Sequence, residues 1–271
     1  MQYIKITFQD ITTDTSDMLI ASLAEAGFEG FEEAEKTLYA FMPMPQYAQE
    51  QLDAIATQYS VAYETEMIPA QNWNALWESN FQPVTVDGFC TIRAHFHDLE
   101  VTTPYEIVVT PKMSFGTGHH ATTQLMILMM RNLPFKGASV LDFGTGTGVL
   151  AILAEMLGAS SITAIDNDVW SVENAIENTE RNGCIRIEVA QGSLEDIPVE
   201  TVDIILANIN RHILLQYMPA LYQRLNRGGS ILMSGLLVAD EEIIVAAATE
   251  SGFQFVQMKE RNGWIALLFV K

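Results

Sequence analysis

Hydrophobic and polar positions follow two different patterns along the 271-residue chain, and the change of pattern predicts two domains. In the first part, runs with a period of two predict strands and runs with a period near 3.6 predict helices. The predicted order is strand, helix, two strands, helix and strand, in YIKITF, SDMLIASLAEAGF, GFEEAEKTLYAFMPM, AQEQLDAIATQY and VAYETEMI. This order is typical of a ferredoxin-like α+β domain, which we place at residues 1–68. We expect Ser16 to cap its first helix and Gly27 to close it.

From Ser139 onward, short runs rich in Val, Ile and Leu alternate with helical patterns. Strands that are apolar on both faces predict an α/β domain whose parallel sheet is covered by helices on both sides. The last two strands follow each other without a helix, and the pair Asn262 and Gly263 predicts a tight turn between them. A parallel sheet that ends in such a hairpin departs from the dinucleotide-binding Rossmann plan. It resembles the seven-stranded, Rossmann-like sheet of Class I methyltransferases, and we assign it residues 86–271.

Between the two domains, Trp73, Trp77 and Phe81 recur every four residues, which predicts one aromatic face of a helix. Pro83 is expected to end this helix. We interpret residues 69–85 as a linker helix whose aromatic side chains contact a neighbouring domain. Two strands, FCTIRAHFHDL and YEIVVTP, are predicted to follow it.

The charge of the chain is strongly negative, with 14 basic and 34 acidic residues and a net charge of −20. This balance argues against direct nucleic-acid binding and favours a basic partner. No run approaches the ~20 apolar residues of a membrane helix, and the first residues lack the order of a secretion signal. We therefore expect a cytoplasmic protein without membrane contact. Its two cysteines, Cys90 and Cys184, are expected to be reduced thiols.

The stretch VLDFGTGTG is the central indication of a ligand site. A buried strand ends at Asp142, Gly144, Gly146 and Gly148 follow, and a helix begins at once. Glycines permit a tight turn and a close backbone approach to a ligand, and a helix start offers N–H groups to an anion. Such a loop occurs in several nucleotide-binding folds, so other residues must discriminate among them.

Two later strands end in polar residues at the same edge of the predicted sheet. Asp166 ends the second strand, where a carboxylate can accept both ribose hydroxyls of either NAD or S-adenosylmethionine. Asp168 is an alternative, although it suits a helix N-cap better. Asn208 ends a later strand, and Asn210 is a second candidate. A role in the turn after the strand explains either asparagine on its own nearly as well as ligand binding does. Taken together with the glycine loop and Asp166, they favour ligand binding.

The stretch FGTGHHATT, residues 115–123, contains the adjacent histidines His119 and His120. Paired histidines suggest a metal, but zinc needs three or four ligands, and no Cys or carboxylate accompanies these two at ligand spacing. We therefore expect no metal site and expect His120 to hold the loop through a backbone hydrogen bond. Thr123, at the start of the next helix, is expected to face a small-molecule cofactor, and Thr122 is a candidate N-cap.

Together these motifs resemble the ribosomal protein L11 methyltransferase family, the PrmA-type enzymes, over nearly the full chain. The resemblance rests on NWNALWESNFQPV, FGTGHHATT, DFGTGTG, the strand end at Asp166, ERNG at residues 180–183 and ANI at Asn208. It implies an enzyme that uses S-adenosylmethionine to methylate lysine side chains and the N-terminal amine of one basic ribosomal protein. It also implies that the small acidic domain recognises this substrate.

The resemblance implies cofactor contacts at four positions: Thr123, Gly144, Asp166 and Asn208. The glycine loop adds Gly146 as a fifth candidate. It identifies no catalytic residue. The chain departs from the family pattern at four positions: His119 (usually Thr), Ala121 (usually Pro), Thr145 (usually Cys) and Asn210 (usually Leu). The last departure is expected near the acceptor channel, so it bears on the choice of target amine.

Other functions fit the same fold. One is a methyltransferase for a different protein or a small amine, and another is a non-catalytic nucleotide-binding or nicotinamide-binding module. The acidic first domain favours a basic macromolecule as the partner. For methyl transfer the acceptor amine must be neutral, and a desolvated channel lowers its pKa, so we expect no dedicated general base. Asn208 is expected to line this channel.

Overall fold

The computed structural model describes residues 3–34, 36–68, 81–112, 116–198 and 200–271. Its contacts divide the chain into two compact units, one up to Asn80 and one from Phe81 onward. Most of the predicted linker helix, with both of its tryptophans, lies outside the described residues. Residues 81–83 have no regular secondary structure, and strand β5 begins at Val84, so a helix does not continue to Pro83 as predicted. Pairing of β5 with the next strand holds this segment extended.

The first unit is a four-stranded antiparallel sheet in the order β2-β3-β1-β4, with two helices on one face. Its elements are β1 (Tyr3–Phe8), α1 (Thr13–Glu25), β2 (Gly30–Ala34), β3 (Thr37–Pro43), α2 (Gln49–Tyr59) and β4 (Tyr63–Ile68). The predicted order of elements is confirmed. Alternate residues of β1, among them Ile4, Ile6 and Phe8, pack beneath the helices because successive side chains of a strand point to opposite faces.

Helix α1 begins one turn earlier than the expected cap. Thr12, not Ser16, is the N-cap, and its hydroxyl accepts a hydrogen bond from the Thr15 N–H at 3.2 Å. The extended backbone of Thr12 aims its side chain at the free N–H groups of the first turn. Ser16 lies inside the helix and donates to the Glu33 carboxylate of β2. Gly27, with a φ of 93°, follows the C-cap and closes the helix as predicted.

The second unit contains a seven-stranded sheet in the order β10-β9-β8-β11-β12-β14-β13. Its elements are β8 (Ser139–Phe143), α4 (Val149–Met156), β9 (Ser161–Asp166), α5 (Val169–Arg181), β10 (Ile187–Gln191), β11 (Val202–Asn208), α6 (Arg211–Arg224), β12 (Leu225–Leu237), α7 (Glu241–Ser251), β13 (Gln254–Arg261) and β14 (Trp264–Val270). The five strands β8 to β12 pair in parallel with their neighbours, and β14 pairs antiparallel with both β12 and β13. The predicted sheet and its terminal hairpin are confirmed. Asn262 and Gly263 both have positive φ angles, as a two-residue hairpin turn of this kind requires.

A smaller three-stranded sheet precedes the large one. It consists of β5 (Val84–Val86), β6 (Cys90–Ala94) and β7 (Tyr105–Val109), and helix α3 (Ala121–Met130) follows it. Strands β6 and β7 confirm the two strands predicted after the linker. None of the helices in the described part of the chain is both long enough and apolar enough to span a bilayer.

The large sheet has a hydrophobic core on each face. Neighbouring strand residues alternate between the two cores: Val140 and Ile204 face one, and Leu141 and Ile205 face the other. Helices α3 and α4 cover the first core, and α6 and α7 cover the second. Burial on both faces explains why these strands are apolar at nearly every position.

Candidate functional site

The glycine loop after β8 is shaped by backbone angles that favour glycine. Gly144, Gly146 and Gly148 have φ angles of 79°, 55° and 80°. A Cβ on Gly144 would lie 2.1 Å from Cγ2 of Ile209, just beyond β11, so no side chain fits there. The loop therefore presents bare backbone where it leads into helix α4, which begins at Val149.

The base of the loop is tied to a buried acid. Asp142 is fully buried, and one of its oxygens accepts a hydrogen bond from the Thr145 hydroxyl at 2.7 Å. Burial raises the pKa of Asp142 to about 7, and the bond from Thr145 opposes this rise. The Thr145 hydroxyl therefore ties the loop to the buried acid at the end of β8.

Asp166 and Asp168 make different contacts, and Asp168 is a helix N-cap, the role that its position favoured. Asp166 lies at the end of β9, where its two carboxylate oxygens accept the Gly146 N–H at 2.9 Å and the Asp168 N–H at 3.1 Å. A carboxylate has about four acceptor positions, so Asp166 retains two for a ligand. Asp168 caps helix α5 by accepting the Ser171 N–H at 3.1 Å.

Asn208 is buried at the end of β11, and its side chain is only partly satisfied. Its Nδ2 donates to the Thr123 hydroxyl at 3.4 Å, whereas its Oδ1 accepts no hydrogen bond from any described residue. Leaving a buried acceptor unpaired costs about 1–3 kcal/mol, so its retention here points to a ligand that donates a hydrogen bond. Asn210 instead caps helix α6, where its Oδ1 accepts the Ile213 N–H at 3.2 Å.

The histidine pair holds the loop before α3. His120, not Thr122, is the N-cap of α3, and its Nδ1 accepts the Thr122 N–H at 3.4 Å. The candidate cap Thr122 lies within the first turn because the extended residue before the helix is His120. His119 donates from Nε2 to the Gln82 carbonyl at 2.9 Å. In the described ranges, no three His, Cys, Asp or Glu side chains are grouped to hold a metal ion.

Two asparagines at the C-terminal end of α5 bind the backbone of β7 and of the glycine loop, and one of them, Asn182, belongs to the ERNG stretch. Asn182 both accepts from the Val108 N–H and donates to its carbonyl, at 2.9 and 2.7 Å. Asn178 accepts from the Thr110 N–H and donates to the Thr147 carbonyl in the glycine loop, both at 2.8 Å. These bonds replace the sheet partners that β7 lacks on this side and position the glycine loop.

The five predicted site residues lie around one region at the carboxyl edge of the sheet. A crevice of about 450 Å³ is lined by Gly144, Gly146, Asp166 and Asn208, among others. Thr123 lies in a small niche that also contains Gly144 and Asn208. The structure therefore brings all five together, with Gly144 and Asn208 common to both spaces.

The far wall of the crevice contains residues that the sequence analysis missed. Ser193, after β10, shares a hydrogen bond of 3.1 Å with the Tyr217 hydroxyl of α6, and the Tyr217 ring packs edge-on against Phe143. Ser193 lies two residues beyond the end of β10, and Asp166 is the last residue of β9, so the search for polar residues at strand ends could have found Ser193. Tyr217 lies within a helix, and nothing in its local sequence marks it.

A second cavity of about 360 Å³ adjoins Asn208, Ile209 and Asn210, the segment that also borders the crevice. Its other walls include His120 and Trp264, whose rings meet edge-on with centres 4.6 Å apart. Asn208 therefore borders the crevice, the niche and this second cavity.

The fold and the site together define a Class I methyltransferase, in which a glycine loop and a strand-end carboxylate border the crevice of a seven-stranded sheet. The profile of the ribosomal protein L11 methyltransferase (PrmA) family matches residues 6–271. The chain is 41% identical over 285 residues to the ribosomal protein L11 methyltransferase of Porphyromonas gingivalis, covering 99% of this chain and 98% of the relative. Its identity to the Bacteroides fragilis protein of the same name is 39% over 279 residues and the full length of both.

A crystal structure of ribosomal protein L11 methylase from Lactobacillus delbrueckii subsp. bulgaricus superposes with a TM-score of 0.65 and 32% identity, covering 70% of this chain and 99% of that one. The chain belongs to the ribosomal protein L11 methyltransferase family, which is S-adenosylmethionine-dependent. The predicted family, fold class, enzyme class and cofactor are confirmed.

Proposed function

We propose that this protein transfers methyl groups from S-adenosylmethionine to lysine side chains, the N-terminal amine, or both, of ribosomal protein L11. The observation that carries the proposal is the unpaired Oδ1 of Asn208, buried between the crevice and the second cavity. The names of the relatives supply the substrate, and the net charge of −20 suits a basic protein.

The residues present fit the cofactor. Asp166 has acceptor positions free for ribose hydroxyls, and the bare backbone at Gly144 and Gly146 permits close approach. Thr123 and Asn208 offer a hydroxyl and an amide oxygen to the polar methionine end. An amine or hydroxyl donor there would satisfy the Asn208 oxygen, which is costly to leave unpaired.

When bound, S-adenosylmethionine supplies a methyl group on a positively charged sulfur, so its leaving group needs no further activation. The protein must hold a neutral amine in line with that methyl group. Trp264 and Ile209 give the second cavity an apolar wall, and an apolar wall lowers the pKa of a lysine that enters it. Asn208, at the junction, can accept a hydrogen bond from the incoming amine. We assign no general base.

We further propose a division of labour along the chain. Residues 1–68 recognise the substrate, residues 69–85 connect, and residues 86–271 bind the cofactor and perform the transfer. Ribosomal proteins are made and assembled in the cytoplasm, so the enzyme acts there. Its acidity disfavours direct contact with nucleic acid or with anionic membranes.

The test is methyl transfer from labelled S-adenosylmethionine to purified L11, with mass spectrometry to locate the label. Asn208→Ala should lower kcat/KM at least about tenfold, the loss typical of a hydrogen bond in a buried site. Gln257→Ala, an amide on strand β13 outside both cavities, is the matched control and should retain activity.

Two further results would contradict the proposal. In a whole-cell extract, a label on other proteins or small amines, with L11 unmodified, would favour the alternative methyltransferase. In calorimetric titrations, binding of NAD without binding of S-adenosylmethionine would contradict the cofactor.

A further inference from the structure

The sheet of the first unit has a second face, opposite its helices. The strand register places Glu32, Tyr39, Thr7 and Glu64 side by side in one row across all four strands. Directly paired residues point to the same side of a sheet, so these four share a face. Tyr39 is half-buried, and both glutamates are exposed at the two edge strands. We call this surface the open face.

The next row of the open face contains its only described cation. Lys5 lies between Phe41 and Glu66, with its Nζ 2.8 Å from Glu66 Oε2 and 5.1 Å from the centre of the Tyr39 ring. Lys5 thus shows how this surface holds an ammonium group: a carboxylate pairs with it and an aromatic ring lies beneath it.

Two carboxylates of the open face remain without such a partner. Glu66 is paired with Lys5, but no described cation lies within ion-pair distance of Glu32 or Glu64. The face therefore has a net negative charge, with half-buried aromatic rings between two acidic edges. Aromatic residues at the centre and a polar, solvent-accessible rim are typical of protein interfaces.

We propose that the open face docks a lysine- and arginine-rich surface of the protein substrate, so that Glu32 and Glu64 pair with its cations and the Tyr39 ring receives one of them. This inference rests on the proposed function. Charge complementarity selects the partner, because an acidic face attracts a basic protein. A single-stranded nucleic acid would also stack on aromatic rings of an open sheet, but it needs cationic neighbours. Among the described residues of this face the only cation is Lys5, and it is already paired with Glu66.

The test compares two double variants of the full-length enzyme that remove the same charge. E32Q/E64Q alters the open face, and E25Q/E50Q alters exposed glutamates on the two helices of the same unit. For each, kcat and KM are measured with L11 and labelled S-adenosylmethionine, and cofactor binding is measured by calorimetry. Should E32Q/E64Q fold poorly, the single variants E32Q and E64Q serve the same comparison.

We expect E32Q/E64Q to raise the KM for L11 about threefold to tenfold, because rim charges act mainly on encounter and weak binding. Its kcat and its affinity for S-adenosylmethionine should match the wild type, and E25Q/E50Q should change KM less than about twofold. Added salt should raise the wild-type KM more than that of E32Q/E64Q. Tyr39→Leu keeps the apolar area but removes the aromatic ring, whose negative face attracts cations. It should therefore also raise the KM for L11.

Equal KM values for both double variants would overturn the proposal, because the net charge of the protein rather than the open face would then determine the affinity for L11. Tighter binding of an RNA oligonucleotide than of L11 by the wild type would overturn it as well. Failure of the proposed function itself has a different signature: the wild-type enzyme would bind S-adenosylmethionine and leave L11 unlabelled.

Discussion

Gly144 permits a test that separates backbone strain from a steric clash. Gly144 and Gly137 have nearly identical φ angles, 79° and 78°. A Cβ at Gly144 would lie 2.1 Å from Cγ2 of Ile209, whereas a Cβ at Gly137 would meet nothing within 4 Å. Alanine at either position therefore imposes the same strain, and only alanine at Gly144 adds the clash.

The expected losses of unfolding free energy follow from these two terms. Holding an L-residue in the left-handed region costs about 1–2 kcal/mol of unfolding free energy. Alanine also reduces the conformational freedom of the unfolded chain, which offsets about 0.4–1 kcal/mol of that cost. Gly137→Ala should therefore cost about 1 kcal/mol. Forcing a carbon into packed surroundings adds about 1–3 kcal/mol, so Gly144→Ala should cost about 2–4 kcal/mol.

Urea denaturation measures both losses, and calorimetric titration with S-adenosylmethionine reports on the site. Gly144→Ala should weaken cofactor binding at least about tenfold, because the loop backbone must move away from Ile209. Gly137→Ala should bind as the wild type does. The substitution Ile209→Ala should lower the unfolding free energy less in the Gly144→Ala variant than in the wild type. In that variant it also removes the atom that clashes with the new Cβ. Equal stability losses for the two glycine variants would refute the reasoning.

Three further predictions concern the acids and the cap of the site. Asp166→Ala should weaken S-adenosylmethionine binding about tenfold to a hundredfold in calorimetry. Its neighbour, Asp168→Ala, should lose only the helix cap, about 1 kcal/mol of stability, and keep the affinity. The raised pKa of Asp142, about 7, means that the folded state keeps a proton that the unfolded state releases near pH 3.8. This contribution to stability is fully present below pH 3.8 and is lost as the pH rises to about 7, by at most about 4 kcal/mol. Asp142→Asn should flatten that part of the stability profile in urea titrations, and an unchanged slope would contradict the assignment. His120→Ala should cost about 1 kcal/mol of thermal stability through loss of the α3 cap, and a neutral result would contradict its capping role.

Much of the fold could be predicted because it depends on local rules. Burial on both faces makes the central strands apolar, and Asn262 with Gly263 forms a turn from backbone preference alone. Asp168 also follows a local rule, since a cap bonds to N–H groups two or three residues ahead. The expectations for Ser16 and Thr122 were wrong for a related reason. Several residues near a helix start can cap it, and the backbone angles of the folded chain select one.

By itself, the sequence determined the two domain types, the glycine loop and the strand-end residues Asp166 and Asn208, because periodicity and turn chemistry act between near neighbours. Only the tertiary structure decided that Tyr217 and Trp264 border the site and that the Asn208 oxygen remains unpaired. It also decided which glutamates of the first unit share the open face. The physical reason is the order of strands in each sheet: it brings together segments that are far apart in the chain, and no local pattern encodes which segments those are.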